Sequence, residues 1–102
     1  MTVFSAFQPH FGTNQTVTST STAVTIGIDQ QDKTVMIYNS GTQMAYIHTS
    51  GNADVVAVSA DFPCAGGSFH FIEKGMGQVK YLSHVCPSGS SVLDIMTGEG
   101  MF

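Results

Sequence analysis

The sequence predicts an all-β fold: a single antiparallel β-sandwich, jelly-roll-like, with seven or eight short strands. Short runs of alternating residues recur at a spacing of roughly 8–12 residues, and turn-forming Gly, Pro, Asn and Asp separate them. No window shows the apolar spacing of a long helix. The stretch from Thr16 to Thr25 is dominated by Thr and Ser, and Thr favours strands over helices.

The elements can be assigned in order along the chain. Residues 1–15 are interpreted as an N-terminal arm or first strand, and residues 16–102 as the sandwich domain. Val24, Ile26 and Ile28 then recur with a period of two, which is typical of a strand. Further extended segments are predicted later in the chain, at Asp54–Ser59 and Val92–Met96.

A first hairpin is predicted from Thr34 to Thr49, because the sequence Asn39-Ser40-Gly41-Thr42 is typical of a turn. With a three-residue loop, one face of this hairpin would carry Val35, Ile37, Ala45 and Ile47. The other face would carry Met36, Tyr38, Met44 and Tyr46. Both faces of the predicted hairpin are therefore apolar.

A second hairpin is predicted from Gly66 to Cys86, with its loop at Gly75-Met76-Gly77. In this register one face is aromatic and is expected to form the core: Phe69, Phe71, Val79, Tyr81 and Val85. The opposite face mixes polar and apolar side chains and is expected to be half-exposed: His70, Ile72, Lys80, Leu82 and His84. A slip of one residue would mix the two sets.

The apolar residues on the second faces of both hairpins predict a contact surface. A two-layer sandwich buries only one face of each sheet, and large apolar groups left outside usually mark interfaces. The alternative explanation is an error in the assigned register. The residues predicted to form the surface are Met36, Tyr38, Met44, Tyr46, Ile72 and Leu82.

The composition argues against several classes of partner. Charged residues make up only 10% of the chain, there is no Arg, and the net charge is −4. A nucleic-acid partner is therefore not expected, because phosphate binding needs clustered cations. No apolar run approaches the about 20 residues of a membrane span, so no membrane partner is expected. The first residues lack the features of a secretion signal, which predicts synthesis in a cytoplasm.

The two cysteines, Cys64 and Cys86, flank the predicted second hairpin at the same end. A disulfide between them is geometrically conceivable in that register. Thiols in a cytoplasmic product normally stay reduced, however, and neither Cys has a cationic neighbour in sequence that would activate it. We expect two free, unreactive thiols.

The four histidines do not form a recognisable site in the sequence. His70 and His84 would share a face of the second hairpin on a diagonal, but no closely spaced Cys/His pair supplies further zinc ligands. His10 and His48 have no acidic or Cys neighbour close in sequence. We therefore predict no catalytic residue, no cofactor and no metal. The competing hypothesis is a small hydrolase or metal-dependent domain that uses His70, His84 and Cys64.

The segment from Thr34 to His48, with Tyr38-Asn39-Ser40-Gly41-Thr42 followed by Ala45-Tyr46-Ile47, resembles a pattern in small all-β virion proteins of tailed bacteriophages. The turn from Asp61 to Ser68 and the closing residues Val92-Leu93-Asp94-Ile95 and Gly98-Glu99-Gly100 extend the resemblance over about residues 16–100. It differs from the family pattern at two outward strand positions, where relatives carry a charged residue and this chain has Met36 and Met44.

The resemblance implies a head decoration (cement) protein, or another minor virion component, assembled as symmetric copies. We accordingly expect a non-enzymatic protein of the virion that binds the major capsid protein on the outer capsid surface, as a homotrimer, and stabilises the head. The alternative is a tail-associated or receptor-binding module that would bind glycans through Tyr38, Tyr46 or Tyr81.

Overall fold

The structure, a computed structural model, describes residues 7–28, 32–73 and 79–99. This part of the chain is built from nine strands: β1 (Gln8–Pro9), β2 (Gln15–Ser19), β3 (Val24–Gly27), β4 (Thr34–Asn39), β5 (Ala45–Ser50), β6 (Phe62–Cys64), β7 (Phe69–Glu73), β8 (Tyr81–Val85) and β9 (Ser91–Glu99). The segments 1–6, which include most of the predicted arm, and 74–78, which include the predicted Gly-Met-Gly loop, lie outside the described residues. The described ranges contain no helix that could span a membrane.

The strands form two antiparallel sheets packed face to face. In the first sheet β1 and β2 both pair with one edge of β9, and β4 and β7 follow on its other side. The second sheet has the order β3-β8-β5-β6. The pairs are nested: β2 with β9, β3 with β8, β4 with β7 and β5 with β6. This is the topology of a jelly roll, so the predicted all-β sandwich is confirmed.

The core lies between the two sheets and is aliphatic. The first sheet contributes inward-facing side chains from β4 and β9, and the second contributes them from β5, β6 and β8: Val35, Ile37, Leu93, Ile95, Ala45, Ile47, Cys64 and Leu82. Strand alternation places these residues on the inner faces, since successive side chains of a strand point to opposite sides. The predicted common face of Val35, Ile37, Ala45 and Ile47 is therefore confirmed as core.

The predicted pairing within the first hairpin is wrong. Strands β4 and β5 lie in different sheets, and residues 40–44 cross from one sheet to the other. The predicted inward and outward sides of β4 and β5 are nevertheless correct. Side chains alternate along each strand in the same way whether the two strands pair in a hairpin or lie in opposite sheets. In a hairpin the four aliphatic side chains would lie on one sheet, whereas here Val35 and Ile37 meet Ala45 and Ile47 from the opposite side of the core.

The second predicted hairpin is wrong in both pairing and faces. Strand β7 pairs with β4, whereas β8 pairs with β3 and β5, so the expected His70–Leu82 pair does not form. Leu82 and His84 are buried, and Phe69, expected in the core, is 60% exposed. Of the five residues predicted to form the core side of the second hairpin, only Val85 is buried, while Phe71, Val79 and Tyr81 are partly exposed. The space between the sheets is filled by aliphatic side chains, which leaves the rings of β7 on the outside.

The side chain of Asn39 joins the two sheets at the end of β4. Its amide nitrogen donates to the carbonyl oxygens of Gln43 at 2.8 Å and of Cys64 in β6 at 2.9 Å. Its amide oxygen accepts from the Gly41 N–H at 3.1 Å and from the Ser91 hydroxyl at 2.6 Å. Asn39 is fully buried, and these four bonds use the whole hydrogen-bonding capacity of the amide.

Replacing Asn39 with Ala should lower the free energy of unfolding by about 3 kcal/mol, since several buried groups would lose their partner. Urea denaturation measures this change, provided that the denaturant slope stays unchanged. The control is Asn14→Ala, because Asn14 is exposed, and it should shift the free energy by less than about 0.5 kcal/mol. An Asn39→Ala protein as stable as the wild type would contradict the assigned role.

Gly66 is required by a close approach of two backbone segments. A Cβ atom at this position would lie 2.7 Å from the Thr42 carbonyl carbon and 2.8 Å from the Gly41 oxygen. We expect Gly66→Ala to lower the free energy of unfolding by about 1–3 kcal/mol, because backbone atoms must move. Gly27→Ala is the matched control, since a Cβ at Gly27 would have no neighbour within 4 Å. Equal urea midpoints for the two variants would refute this explanation.

Candidate functional site

The outer surface of the first sheet carries a group of large apolar side chains, here named the aromatic face: Met36, Tyr38, Phe69, Phe71 and Met96. Because Val35 and Ile37 point into the core, their neighbours Met36 and Tyr38 point outward. The strand register places Met36 between Phe71 of β7 and Met96 of β9. The face therefore spans the three adjacent strands β7, β4 and β9.

Two aromatic contacts organise this face. The rings of Tyr38 and Phe69 stack at a centroid distance of 4.2 Å with an interplanar angle of 18°. Phe7, just before β1, places its ring 5.2 Å from that of Phe71 at an angle of 56°. A Cβ atom at Gly98 would lie closest to the backbone oxygen of Gln8 and 2.8 Å from the Phe7 ring, so the glycine leaves space for both β1 and Phe7. Stacked pairs of this kind contribute about 0.5–1.5 kcal/mol beyond their buried area.

Polar groups lie at the margin of the aromatic face. Asp94 is directly opposite Tyr38, and its Oδ1 accepts a hydrogen bond of 2.6 Å from the Thr16 hydroxyl. Glu73 ends β7 at the other side and is exposed. Val92 is also exposed on the outer side of β9, and Asp94 separates it from Met96 along the strand. The result is an apolar surface on which Phe69 is exposed and the other four side chains are partly exposed, with a carboxylate at each of two margins.

The structure brings only part of the predicted contact surface together. Met36 and Tyr38 belong to the aromatic face, whereas Tyr46 lies on the second sheet, opposite Pro63 and Val85, and Met44 is exposed in the crossing between sheets. The prediction is wrong for Leu82, which is fully buried, and Ile72 packs against the core. Both errors follow from the wrongly predicted second hairpin.

Three residues of the aromatic face were not predicted to lie there. The sequence predicts Phe69 and Phe71 in the core, because large aromatic side chains usually favour the buried side of a strand. Met96 was included only in the closing strand. A signal for the outward position of Met96 is present in the sequence. One side of β9 carries a carboxylate (Val92, Asp94 and Met96), whereas the other side carries none (Leu93, Ile95 and Thr97), so the first side is the outer one.

His70 and His84, predicted to share a face, lie in different sheets. His84 is buried in the second sheet, with its Nδ1 3.0 Å from the Ser19 hydroxyl. Its Nε2 is buried without a hydrogen-bond partner among the described residues, and burial lowers the pKa of the imidazole. His70 instead contacts the Ser68 hydroxyl at 2.9 Å and meets the Phe62 ring edge-on. The two rings therefore do not form one site.

Two histidine–aspartate pairs are present that the sequence does not indicate. His10 Nδ1 lies 2.7 Å from Asp32 Oδ2, which also accepts a 2.7 Å hydrogen bond from the Thr97 hydroxyl. His48 Nδ1 lies 2.9 Å from Asp61 Oδ1. Each pair joins residues far apart in sequence, which explains why local patterns did not reveal them. A carboxylate in this position orients an imidazole ring through the hydrogen bond at Nδ1.

The His48–Asp61 pair anchors a surface segment. The Val58 N–H donates to Asp61 Oδ2 at 2.8 Å, and this bond, followed by that of His48, lowers the pKa of the Asp61 carboxyl group. Ser83 lies opposite His48 in the sheet, but it is buried and its hydroxyl accepts the Ala57 N–H at 2.8 Å. The hydroxyl is therefore engaged in holding the 55–58 segment against the sheet.

The two cysteines are both buried and free. Cys64 lies beside Ala45, and continuing the β5–β8 register places Cys86 on the other side of Ala45. Their Cα atoms are thus about two strand spacings, or about 10 Å, apart, which exceeds the about 7 Å limit for a disulfide. Burial raises the pKa of both thiols. Within the described ranges no group of three His, Cys, Asp or Glu side chains could hold a metal ion.

No model of a known protein family matches the sequence, and no curated protein is similar enough to count as a relative. The geometry described above is therefore the basis for a functional assignment. It defines the molecule as a jelly-roll β-sandwich whose first sheet carries a partly exposed aromatic face on its outer side.

The contribution of His84 to the stability of the protein should fall as the pH drops below about 6.5, the ordinary pKa of an imidazole, because His84 is buried. Burial lowers the His84 pKa below its ordinary value of 6.5, so the unfolded chain takes up a proton at a higher pH than the folded protein. The contribution of His84 to the free energy of unfolding is thus lost as the pH falls through about 6.5, at up to about 1.4 kcal/mol per pH unit.

Urea denaturation at several pH values tests this expectation with His84→Gln, which should flatten the pH dependence. His70→Gln is the control, because it removes a partly exposed imidazole and leaves His84 in place. A wild-type slope that persists in the His84→Gln protein would show that other groups cause it.

Proposed function

We propose that the protein is a structural component of a tailed-bacteriophage virion: a decoration (cement) protein that binds the outer capsid surface and stabilises the head. Its partner is the major capsid protein, and the aromatic face is the contact surface. The observation that carries this proposal is the aromatic face itself. The protein would be synthesised in the host cytoplasm and function on the assembled capsid.

The chemistry of the aromatic face supports a protein partner. Monomeric soluble proteins rarely leave contiguous large apolar surfaces exposed, and such surfaces commonly mark interfaces. Aromatic side chains and Met are enriched at the centres of protein interfaces, whereas most charged residues are depleted there. Met36, Tyr38, Phe69, Phe71 and Met96 match this composition, with Asp94 and Glu73 only at the margins.

The sparse charge of the whole chain supports a role in a repetitive shell. With 10% charged residues and a net charge of −4, neighbouring copies on a capsid would repel one another only weakly. A cement protein contributes only binding energy, and many copies multiply a modest affinity per site. The resemblance of the 34–48 segment to small phage virion proteins points the same way. The homotrimer expected from the sequence remains a prediction.

A second candidate function is glycan binding by a tail-associated or receptor-binding module. One observation favours it: Phe69, on an edge strand, exposes 60% of its surface, and the Asp94 carboxylate lies on the far side of Tyr38 in the same row. Exposed rings near a hydrogen-bonding carboxylate can hold a sugar. A glycan array distinguishes the candidates, since specific hits that Phe69→Ser abolishes would favour this second function.

Co-sedimentation with phage heads that lack the protein tests the capsid proposal. The wild type should bind saturably, and Phe69→Ser should weaken binding at least about tenfold, as expected when the most exposed ring of the contact surface is removed. Tyr46→Ser is the matched control, because Tyr46 lies on the other sheet, and it should bind like the wild type. Wild-type protein that does not sediment with heads would contradict the proposal, and so would equal losses in the two variants.

A further inference from the structure

Strand β7 has an open edge in the described part of the structure. Its only strand neighbour there is β4. The Asn39 N–H donates to the Ser68 oxygen at 3.0 Å, which fixes the alternation that follows along β7. His70 and Ile72 direct their backbone groups toward β4, whereas Phe69, Phe71 and Glu73 direct theirs away from it. The close, non-hydrogen-bonded pairing of Tyr38 with Phe69 agrees with the 4.2 Å ring stacking.

Within its described residues, Phe69–Glu73, this edge carries no Pro, Lys or bulge. Natural edges carry Pro, Lys, a bulge or an inward charge, which prevent another strand from adding. Strand β6, the edge of the second sheet on the same side, has Pro63 at the position whose backbone points outward, and Pro has no N–H to donate. Strand β7 reads Phe-His-Phe-Ile-Glu and has neither Pro nor Lys. Its positive-φ glycine, Gly67, precedes the strand and leaves the edge itself regular.

We infer that two copies of the chain pair through β7, antiparallel and related by a twofold axis at Phe71. In this register Phe71 lies opposite Phe71 of the second copy, and Phe69 lies opposite Glu73. Each outward N–H and C=O of Phe69, Phe71 and Glu73 then finds a partner, because the outward residues are placed symmetrically about position 71. No other antiparallel register with a twofold axis pairs the outward backbone groups of all three residues.

A second copy fits this edge because the contact keeps the charged side chains apart and joins the apolar surfaces of the two copies. Glu73 is the only charged residue of β7, and the two copies of it would lie at opposite ends of the new ladder. They would be about 14 Å apart at about 3.4 Å per residue, which exceeds the Debye length of about 10 Å in ordinary salt. The two first sheets would become continuous, and their aromatic faces would join across the Phe71 pair.

This inference does not depend on the capsid proposal, since it concerns only how copies contact one another. It also differs from the homotrimer expected from the sequence. A twofold contact uses the same β7 edge of both copies, so no edge remains for a third copy. A measured size therefore tests the β7 contact separately from binding to heads. A monomer that binds heads would overturn the inference alone, and a dimer that binds no heads would overturn only the capsid proposal.

Sedimentation velocity of the full chain over a range of concentrations tests the pairing. The wild type should form dimers. Phe71→Lys and Phe71→Glu should each weaken dimerisation at least about tenfold, because like charges would face each other across the axis. An equimolar mixture of the two variants should regain the dimer, because Lys would then face Glu. Val92→Lys, on the same sheet but far from β7, is the control and should remain dimeric.

Each other result would overturn the inference: a wild-type monomer or trimer, a dimer unaffected by either charge at Phe71, or a mixture that stays monomeric. Hydrogen exchange of the wild type provides a test that needs no variant. The Phe71 and Glu73 amides should become protected as concentration rises, whereas the Ile72 amide, bonded to β4, should be protected throughout. Fast exchange at Phe71 at every concentration would exclude the pairing.

Discussion

The buried amide of Asn39 is the interaction on which the arrangement of the two sheets depends. It ends β4 in the first sheet, binds the crossing at Gly41 and Gln43, holds β6 of the second sheet through Cys64, and receives the hydroxyl at the start of β9. A hydrophobic core alone would hold two sheets together at many relative positions, because its attraction has no direction. Four directional bonds in a site from which water is excluded select one of these positions.

Much of the fold could be predicted because alternation is a local property of a sequence. The aliphatic series Val35, Ile37, Ala45 and Ile47 identifies the core side of β4 and β5 whichever strands they pair with. The pairing could not be predicted in the same way. A short turn such as residues 39–42 can close a hairpin or cross between sheets, and the choice depends on the Asn39 side chain binding groups as distant in sequence as Cys64 and Ser91.

The candidate site could be predicted only in part for the same reason. The sequence predicts Met36 and Tyr38 on the outer side correctly, because the alternation of β4 places their neighbours Val35 and Ile37 in the core. Phe69 was wrongly placed inside, since a ring is usually the better core residue and nothing local shows that smaller side chains already fill the space. The His10–Asp32 and His48–Asp61 pairs arise wholly from tertiary structure. The spacing of residues along the sequence cannot predict these pairs, because the two partners never lie on the same strand.

The nested pairing of the jelly roll also determines how the molecule would respond to force. Gln8 of the first strand lies directly opposite Glu99 of the last, so both ends of the described chain leave the sandwich at one corner. Tension applied there would break the hydrogen bonds of the β1–β9 and β2–β9 pairs one after another. It would not load many of these bonds at the same time, as a force parallel to the strands from opposite ends would. The opposite side, with β7 and its aromatic rings, would carry little of that load. A chain pulled at Gln8 and Glu99 would thus yield first at the β1–β9 pair and last at the innermost pair, β5–β6.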